Sequence, residues 1–254
     1  MAIALIPMAQ ISIRFYGALN DFIAPSTRNQ PIIHRFNRKA SIKDMIESFN
    51  VPHPEIEQIL VNATEVNFDY IVQDGDNIAV YAFDACLTHP PEIRLRPEMP
   101  QPPAFVVDGN LGKLVRYLRL LGFDCLYRND YHDREVAEIA AVQQRTVLTR
   151  DRALLQRKAV VYGYFVRSDE PKAQTREVLQ RFDLFRWIKP FSRCVRCNGL
   201  LAVVDKHSVA HRLQPLTRQF YDRFLRCSDC ERIYWQGSHY ARIKQLVGEF
   251  RTTY

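Results

Sequence analysis

The chain has 254 residues, of which 47% are hydrophobic and 25% charged, and its formal net charge is +7. These proportions are typical of a folded globular protein. No apolar run approaches the length of a membrane span, and the apolar amino terminus lacks the charged segment of a signal peptide, so we expect neither. The basic balance is compatible with a polyanionic partner, but by itself it is mainly a statement about solubility.

The amino-terminal third shows the pattern of a small sheet with one helix. Residues 10–17 alternate apolar and polar side chains, as a half-buried strand does. Ser41 and Asp44 have the spacing of a capping box, with Asp in place of the usual Glu. The predicted order is strand, strand, helix, strand, strand, at residues 10–17, 31–37, 41–48, 58–62 and 77–81. This order is that of a β-grasp, ubiquitin-like fold.

The segments RFYGALNDFI, SIKDMIESF and QDGDNIAVY resemble the small sulfur-carrier proteins of that fold. They are more similar still to the ubiquitin-like domain that precedes some Mut7-C RNases. Sulfur carriers act through a free carboxyl-terminal Gly-Gly, whereas here the last strand continues through Ala82-Phe83-Asp84-Ala85. Carrier chemistry is therefore excluded in the intact chain, and we expect a docking or stabilising domain. A partner among sulfur-transfer enzymes, bound through residues 1–86, remains a third hypothesis.

A proline-rich segment follows and predicts a domain boundary. Residues 88–103 contain six of the chain's fourteen prolines. Such a segment is a semi-rigid, extended linker. We therefore expect a β-grasp domain at residues 1–86 and a linker at 87–103.

Strands alternating with helices are predicted after the linker. The apolar run Ala104–Val107 ends in Asp108, and a helix follows with Gly122 at its carboxyl-terminal cap. Its apolar face is formed by Leu111, Leu114, Val115, Leu118 and Leu121. A second amphipathic run leads to the strand Thr146–Thr149 and then to Arg150-Asp151. A further strand at 159–166 and a helix at 172–182 complete an α/β pattern with a parallel sheet.

Two aspartates thus follow the carboxyl ends of two predicted strands, where α/β sheets bind ligands. If the strands are neighbours, Asp108 and Asp151 could share one Mg²⁺ or Mn²⁺ ion, since these cations take oxygen ligands. Asp133, at the start of the second helix, is the natural third ligand, and Asp130 competes for the same role. Each of these aspartates could instead be a helix cap.

Four of the six cysteines form two CxxC pairs: Cys194, Cys197, Cys227 and Cys230. This is the spacing of a metal site and not of a disulfide framework, which indicates a reducing compartment. Four thiolates from two such turns form the closed tetrahedral set of a structural zinc ion. The sequence therefore predicts a zinc ribbon that depends on its metal to fold.

Basic residues surround the predicted acidic site. Lys113, Arg116 and Arg119 are expected on one side of the first helix, and Arg150 and Arg152 flank Asp151. These five side chains are candidate residues for binding nucleic acid. The alternative, a solvated surface, is about equally compatible with the pattern.

The segments FVVDGNLGKLVRYLRLLGFD and DREVAEIAAVQQRTVLTRDRALL, followed by the two CxxC pairs and YWQGSHY, resemble the Mut7-C RNase family. The resemblance implies a PIN-like nuclease domain, here residues 104–190, and a zinc ribbon, here residues 191–254. It also implies that Asp108, Asp133 and Asp151 form the acidic metal-binding cluster. RNA, rather than DNA, is implied as the substrate only by this resemblance.

Two functions of different classes follow as expectations. The first is a cytoplasmic, divalent-metal-dependent ribonuclease with structural zinc and catalytic Mg²⁺ or Mn²⁺. The second is a non-catalytic RNA- or ribosome-binding protein that uses the zinc ribbon and the basic surface.

Overall fold

The computed structural model describes residues 8–86 and 91–251, apart from the side chains of residues 238, 239, 241–243 and 251. Residues 87–90 of the predicted linker lie outside this part. The chain divides into two compact units. The first contains the chain up to Met99 together with Asp151–Phe165, and the second contains Pro100–Arg150 together with the chain from Val166 onward. No helix in the described residues is both long and apolar enough to cross a membrane.

The regular elements of the described residues are short strands and helices. Up to the linker they are β1 (Ala9–Tyr16), β2 (Ile32–Phe36), α1 (Ile42–Glu47), β3 (Ile56–Val61), β4 (Thr64–Glu65) and β5 (Asn77–Ala82). After it come β6 (Phe105–Val107), α2 (Gly112–Leu120), β7 (Cys125–Leu126), α3 (Asp133–Gln143), β8 (Thr146–Thr149), α4 (Arg152–Leu155), β9 (Gly163–Phe165) and α5 (Pro171–Arg181). The last are β10 (Leu201–Val204), α6 (Lys206–Val209), α7 (Pro215–Phe220), β11 (Phe224–Cys227), β12 (Ile233–Trp235) and α8 (Ser238–Arg251).

The first unit contains a five-stranded sheet in the order β2-β1-β5-β3-β4. Strand β1 pairs antiparallel with β2 and parallel with β5. Ile11, Ile13 and Phe15 alternate inward along β1 and are almost fully buried, because successive side chains of a strand point to opposite faces. They share a core with Ile42 and Ile46 of α1. The β-grasp prediction is confirmed.

Local side-chain bonds fix the ends of two elements in this unit. The Ser41 hydroxyl accepts a hydrogen bond from the Asp44 amide at 3.1 Å and caps α1, as the sequence predicts. After β5, the Asp84 carboxylate accepts from the Ala18 amide at 3.2 Å. A Cβ on Gly17, whose φ is +63°, would lie 2.5 Å from Asp84 Oδ1. The segment after the last strand is therefore folded against the sheet.

Residues 151–165 are bound tightly within the first unit. Glu55 Oε1 accepts from the Phe165 amide at 2.6 Å, and the Gln156 side chain donates to the Glu47 carbonyl at 3.2 Å. The ring of His53 joins Glu47, 2.7 Å from Nδ1, to the Val160 carbonyl, 2.8 Å from Nε2. The contacts of Gln156, Val160 and Phe165 have no signal in the sequence, since each joins residues more than one hundred positions apart.

The second unit contains the parallel strands β7, β6 and β8 in that order. The apolar face of α2 is buried as predicted, and each of its five side chains is at most 2% exposed: Leu111, Leu114, Val115, Leu118 and Leu121. Gly122 ends the helix with φ +100°, and a Cβ there would lie 2.3 Å from the Lys189 carbonyl oxygen. Position 122 therefore requires glycine for both its conformation and its packing.

The cysteine-containing part forms a separate antiparallel sheet, β10-β11-β12. After it, helix α8 places Phe250 against Tyr117 of α2, with ring centroids 6.1 Å apart. Phe250 and Val247 are buried. The expected combination of an α/β domain with a parallel sheet and a four-cysteine sheet domain is confirmed.

Candidate functional site

Each CxxC pair lies in a tight turn held by backbone hydrogen bonds. In the first turn, the Cys194 amide donates to the Gly199 carbonyl at 2.8 Å and the Asn198 amide donates to the Cys194 carbonyl at 2.9 Å. In the second, the Cys227 amide donates to the Arg232 carbonyl at 3.0 Å. Asn198 adopts φ 76°, a left-handed conformation that Asn tolerates better than most residues. These turns direct the four thiols toward one point.

The four sulfur atoms have a spacing that fits a zinc ion. All lie within 4.8 Å of one another. The distance is 3.6 Å from Cys194 Sγ to Cys230 Sγ and 3.3 Å from Cys197 Sγ to Cys227 Sγ. Four sulfurs at about 2.3 Å from a tetrahedral zinc ion would be roughly 3.8 Å apart, so small adjustments would suffice. Cys194, Cys197, Cys227 and Cys230 can therefore hold zinc, as predicted.

The surroundings of the cluster give its thiols different pKa values. Burial alone would raise the pKa of Cys194, but hydrogen bonds from the Tyr234 hydroxyl, 3.0 Å away, and from backbone amides lower this pKa to about 6. Burial raises the pKa of Cys197 to about 12. Zinc binds thiolates, so zinc binding to this cluster would displace the protons that its thiols still carry.

Arg119 of α2 and Asn198 attach the first cysteine turn to β7. The buried guanidinium of Arg119, 4% exposed, donates to the Cys125 carbonyl at 2.7 Å and to the Arg196 carbonyl at 2.8 Å. The Asn198 side chain accepts from the Cys125 amide at 3.0 Å and donates to Asp124 at 2.9 Å. This arrangement corrects one prediction: Arg119 is not on the exposed face of α2, because its guanidinium satisfies buried carbonyl groups.

The other four candidate RNA-binding side chains differ in whether they already contact other protein groups. Lys113 and Arg116 are exposed on α2. Arg150 forms an ion pair with Asp169 at 2.6 Å and also donates to the Ser168 carbonyl. In the first unit, the Arg152 guanidinium lies 5.2 Å from the centroid of the Phe22 ring and 5.9 Å from that of Phe165. Among the five candidates, Lys113 and Arg116 are therefore the positive charges most accessible to a ligand.

Asp108 lies directly after β6, where the structure pairs this strand with β8. The Asp108 amide donates to the Leu148 carbonyl at 3.0 Å, and the Thr149 hydroxyl donates to Asp108 Oδ2 at 2.8 Å. Thr149 is fully buried. The carboxylate is thus held at the carboxyl ends of two neighbouring parallel strands, which is where α/β sheets bind ligands.

The other aspartates have distinct local roles. Asp151 is the N-cap of α4, and its carboxylate accepts from the Ala153 amide at 2.7 Å. Asp133 is the first residue of α3, whose N-cap is His132, so neither Asp133 nor Asp130 occupies that cap position. Asp130 accepts two hydrogen bonds from Arg128, at 2.9 and 2.6 Å. The hydrogen bonds and charge of Arg128 lower the pKa of Asp130.

In the part of the chain that the structure describes, the four cysteines are the only group of three or more His, Cys, Asp and Glu side chains arranged to hold a metal ion. The zinc site is gathered by its own turns, whereas Asp108, Asp133 and Asp151 belong to three separate elements, β6, α3 and α4, each at or beside an element end.

The sequence analysis missed two residues that shape these sites. The sequence places Thr149 in a buried strand, and its signal is its position at the carboxyl end of that strand, where α/β sheets bind ligands. Asn198 directly follows Cys197, a position where the turn requires a left-handed backbone. The contact of Asn198 with Asp124 had no signal in the sequence, since the two residues are 74 positions apart.

Comparison with known families covers both parts of the chain. Residues 103–247, more than half of the chain, match the model of the Mut7-C RNase domain, and residues 8–87 match the model of the Mut7-C ubiquitin domain. No curated protein and no solved structure matches the chain. The RNase-domain match indicates a ribonuclease-related function with RNA as the substrate. The chain therefore belongs to the Mut7-C RNase family and carries a Mut7-C ubiquitin domain ahead of its RNase domain.

Proposed function

We propose that this protein is a divalent-metal-dependent ribonuclease whose Asp108, Asp133 and Asp151 hold Mg²⁺ or Mn²⁺. The observation that carries the proposal is the Asp108 carboxylate, held by Thr149 at the carboxyl ends of β6 and β8. The membership of the chain in the Mut7-C RNase family also supports hydrolysis of RNA. Carboxylate oxygens are also the donors that these hard cations prefer.

Each residue of the proposed metal site has a separate role. Thr149 orients Asp108 by donating to Oδ2, which leaves Oδ1 for the cation. Asp133 is kept as the third ligand because the family resemblance implies it, and Asp130, whose two oxygens accept hydrogen bonds from Arg128, is the alternative. When bound, Mg²⁺ or Mn²⁺ supplies a Lewis acid and a more acidic water for attack on the phosphodiester. The expected products are a 5′-phosphate and a 3′-hydroxyl.

Positive charge near the helix α2 supports binding of the RNA backbone. Lys113 and Arg116 are exposed there and belong to the helix that follows Asp108. Exposed Lys and Arg side chains neutralise phosphates, which makes binding depend on salt. Arg150 and Arg152 remain candidates for phosphate contact once RNA displaces their present partners.

The test is a cleavage assay on single-stranded and structured RNAs labelled at the 5′ or the 3′ end. Wild type is compared with Asp108→Asn, with added Mg²⁺ or Mn²⁺ and after chelation. Loss of one metal ligand should reduce cleavage by more than the roughly 10- to 100-fold cost of losing an outer-shell partner. Asp183→Asn is the matched control, because it makes the same change at an exposed position of left-handed backbone that Asn accepts.

A non-catalytic RNA-binding protein is the second candidate. The observations that favour it are the exposed basic pair Lys113 and Arg116 on α2 and the four-cysteine group, which can hold a structural zinc ion. In that case wild type binds RNA but cuts none with any of these metals, and Asp108→Asn leaves binding unchanged. Metal-dependent cleavage that disappears in Asp108→Asn but persists in Asp183→Asn would establish the ribonuclease.

The β-grasp domain is proposed to stabilise residues 151–165 and to offer a surface to a protein partner. Its bonds from His53 and Glu55 to that segment support the stabilising role. A pull-down with wild type and with a chain lacking residues 1–86 tests the partner. An adenylating enzyme recovered only with the full chain would support a link to sulfur transfer.

A further inference from the structure

An open groove lies on the cysteine-containing part of the second unit. It has a volume of about 1160 Å³ and is bordered by β12, α7 and the segment around Phe191. This volume is above the roughly 300–1,000 Å³ of typical small-molecule pockets. The groove contains none of the four cysteines and none of the candidate aspartates. It is therefore separate in composition from both sites described above.

Large apolar and aromatic side chains form the walls of the groove and remain accessible. Leu216 is 68% exposed, Phe220 67% and Trp235 41%. The rings of Phe191 and Tyr240 stack on each other with centroids 4.8 Å apart. Contiguous exposed apolar surface of this kind marks a binding site more often than it occurs without one.

The Trp235 ring is held in place by the backbone beside it. A Cβ on Gly237 would lie 2.8 Å from Trp235 Nε1, so the ring lies directly on this glycine. The Gly237 amide also donates to the Trp235 carbonyl at 3.0 Å. A ring fixed in this way offers a ready surface for stacking and loses little freedom when a ligand binds.

The charge of the groove selects among possible occupants. Arg223 and Arg232 line it and are exposed, and its described lining includes no aspartate or glutamate. A third arginine, Arg193, also lines it but is already paired with Asp124 at 3.1 Å. The surface thus combines aromatic rings with uncompensated positive charge, which is the combination that binds unpaired nucleotides.

We propose that this groove binds single-stranded RNA, with bases stacked on Trp235 and Phe220 and phosphates near Arg223 and Arg232. The proposal rests on the proposed function to the extent that RNA is the substrate. Single strands are favoured over duplexes, because only unpaired bases expose their faces to protein rings. The groove would hold a part of the strand apart from the scissile bond and so contribute to substrate choice.

The test measures binding of a fluorescein-labelled ten-nucleotide oligouridine by fluorescence anisotropy. The Asp108→Asn protein is used throughout, with zinc retained, so that binding is measured without cleavage. Phe220→Ala and Trp235→Ala should each weaken binding about tenfold, in keeping with the cost of removing one stacking ring. Phe83→Ala is the matched control, because Phe83 is an aromatic side chain of similar exposure, 43%, outside the groove. This control should bind as the parent does.

A second readout follows the ring itself. The chain has two tryptophans, so Trp187→Phe leaves Trp235 as the sole tryptophan. Oligouridine should quench its fluorescence with the same Kd that anisotropy gives, whereas heparin, a polyanion without bases, should not quench it. Equal loss of heparin and RNA binding in Phe220→Ala would overturn the stacking assignment.

Two further outcomes separate this proposal from its alternatives. If wild type cuts RNA, and if Phe220→Ala and Trp235→Ala made in the wild-type chain bind and cut RNA as wild type does, the groove proposal fails and the ribonuclease stands. If the groove variants lose RNA binding while wild type cuts nothing, the groove stands and the ribonuclease fails. If sedimentation shows a wild-type dimer that Phe220→Ala dissociates, the groove is covered by a second copy of the chain and the RNA assignment is wrong.

Discussion

The four cysteines and the three aspartates are two candidate metal sites with opposite construction. Each cysteine pair is set by one local turn, so two turns and one sheet bring together all four ligands. The aspartates are single residues at the ends of separate elements, and Asp108 is held by a hydrogen bond from Thr149 at the end of the neighbouring strand. A site built from local turns is complete once its turns form. A site built from single residues depends on how separate elements are placed, and on the ligand itself.

Removing a cysteine should have the largest effect, because structural zinc contributes to folding directly. Cys227→Ser should abolish zinc retention and unfold the sheet β10-β11-β12, since apparent binding free energies for such sites are about 10–16 kcal/mol. Zinc content by mass spectrometry and amide hydrogen exchange of residues 224–235 would measure this. Exchange in β1 of the first unit should stay unchanged. Cys86→Ser, outside the cluster, serves as the control.

The buried Arg119 should come next. Arg119→Ala leaves the carbonyls of Cys125, Val195 and Arg196 without their guanidinium donor. Loss of buried hydrogen bonds to a charged group predicts a fall in unfolding free energy of about 3 kcal/mol. Arg116→Ala, one turn earlier on the exposed side of α2, should change it by less than about 0.5 kcal/mol. Urea unfolding of both variants measures the contrast.

These two variants also separate a structural arginine from a ligand-binding one. Arg116→Ala should weaken RNA binding and reduce its dependence on salt, whereas Arg119→Ala should weaken it only through lost stability. An Arg119→Ala protein that stays as stable as wild type but loses RNA affinity would restore the original expectation for this residue.

The Thr149–Asp108 hydrogen bond allows a sharper test of the acidic site. Thr149→Val keeps the shape of the buried side chain but removes the donor to Asp108 Oδ2. Cleavage should fall roughly 10- to 100-fold, the usual cost of losing a partner that orients a metal ligand. Thr149→Ser restores the hydroxyl and should recover most of the activity. If Thr149→Val retains full activity with reduced stability, Thr149 is only a packing residue.

Local patterns in the sequence predicted most of the architecture for the same reason that the cysteines were easy to recognise. The alternation of Ile11, Ile13 and Phe15 predicts a strand with one buried face, and Leu114, Val115 and Leu118 predict one face of a helix. The CxxC spacing determines the geometry of each cysteine turn within four residues. In each case the information lies within a few positions along the chain.

Contacts between distant positions could not be predicted in this way. Arg119 follows the same helical pattern as Arg116, and only the fold shows that its guanidinium meets the carbonyls of residues 195 and 196. The same holds for β7, whose two residues give no periodic signal, and for the bonds from His53 and Glu55 to residues 151–165. The positions of Asp108, Asp133 and Asp151 relative to one another also depend on contacts between distant parts of the chain, and the cleavage assay with Asp108→Asn tests their joint role.

The smallest predicted effect concerns Asp124, which lies between the parallel strands and the first cysteine turn. Burial alone would raise its pKa, but hydrogen bonds from Arg145 and Asn198 and the charges of Arg145 and Arg193 outweigh burial and lower the pKa below 3.8. A carboxyl group whose pKa is lower in the folded state stabilises the fold above its unfolded pKa, and this stability is lost as the pH falls through the folded pKa.

Asp124→Asn should therefore lower the unfolding free energy by about 1 kcal/mol at neutral pH, a modest value because the side chain is partly exposed. The difference from wild type should begin to shrink below about pH 4, where this carboxyl group becomes protonated in the unfolded chain, and should vanish as the pH falls through the lower pKa of the folded state. Thermal unfolding of the two proteins between pH 3 and 7 measures the difference, with Asp183→Asn as the exposed control. A gap that is independent of pH would mean that shape, and not charge, is what Asp124 contributes beside the cysteine turn.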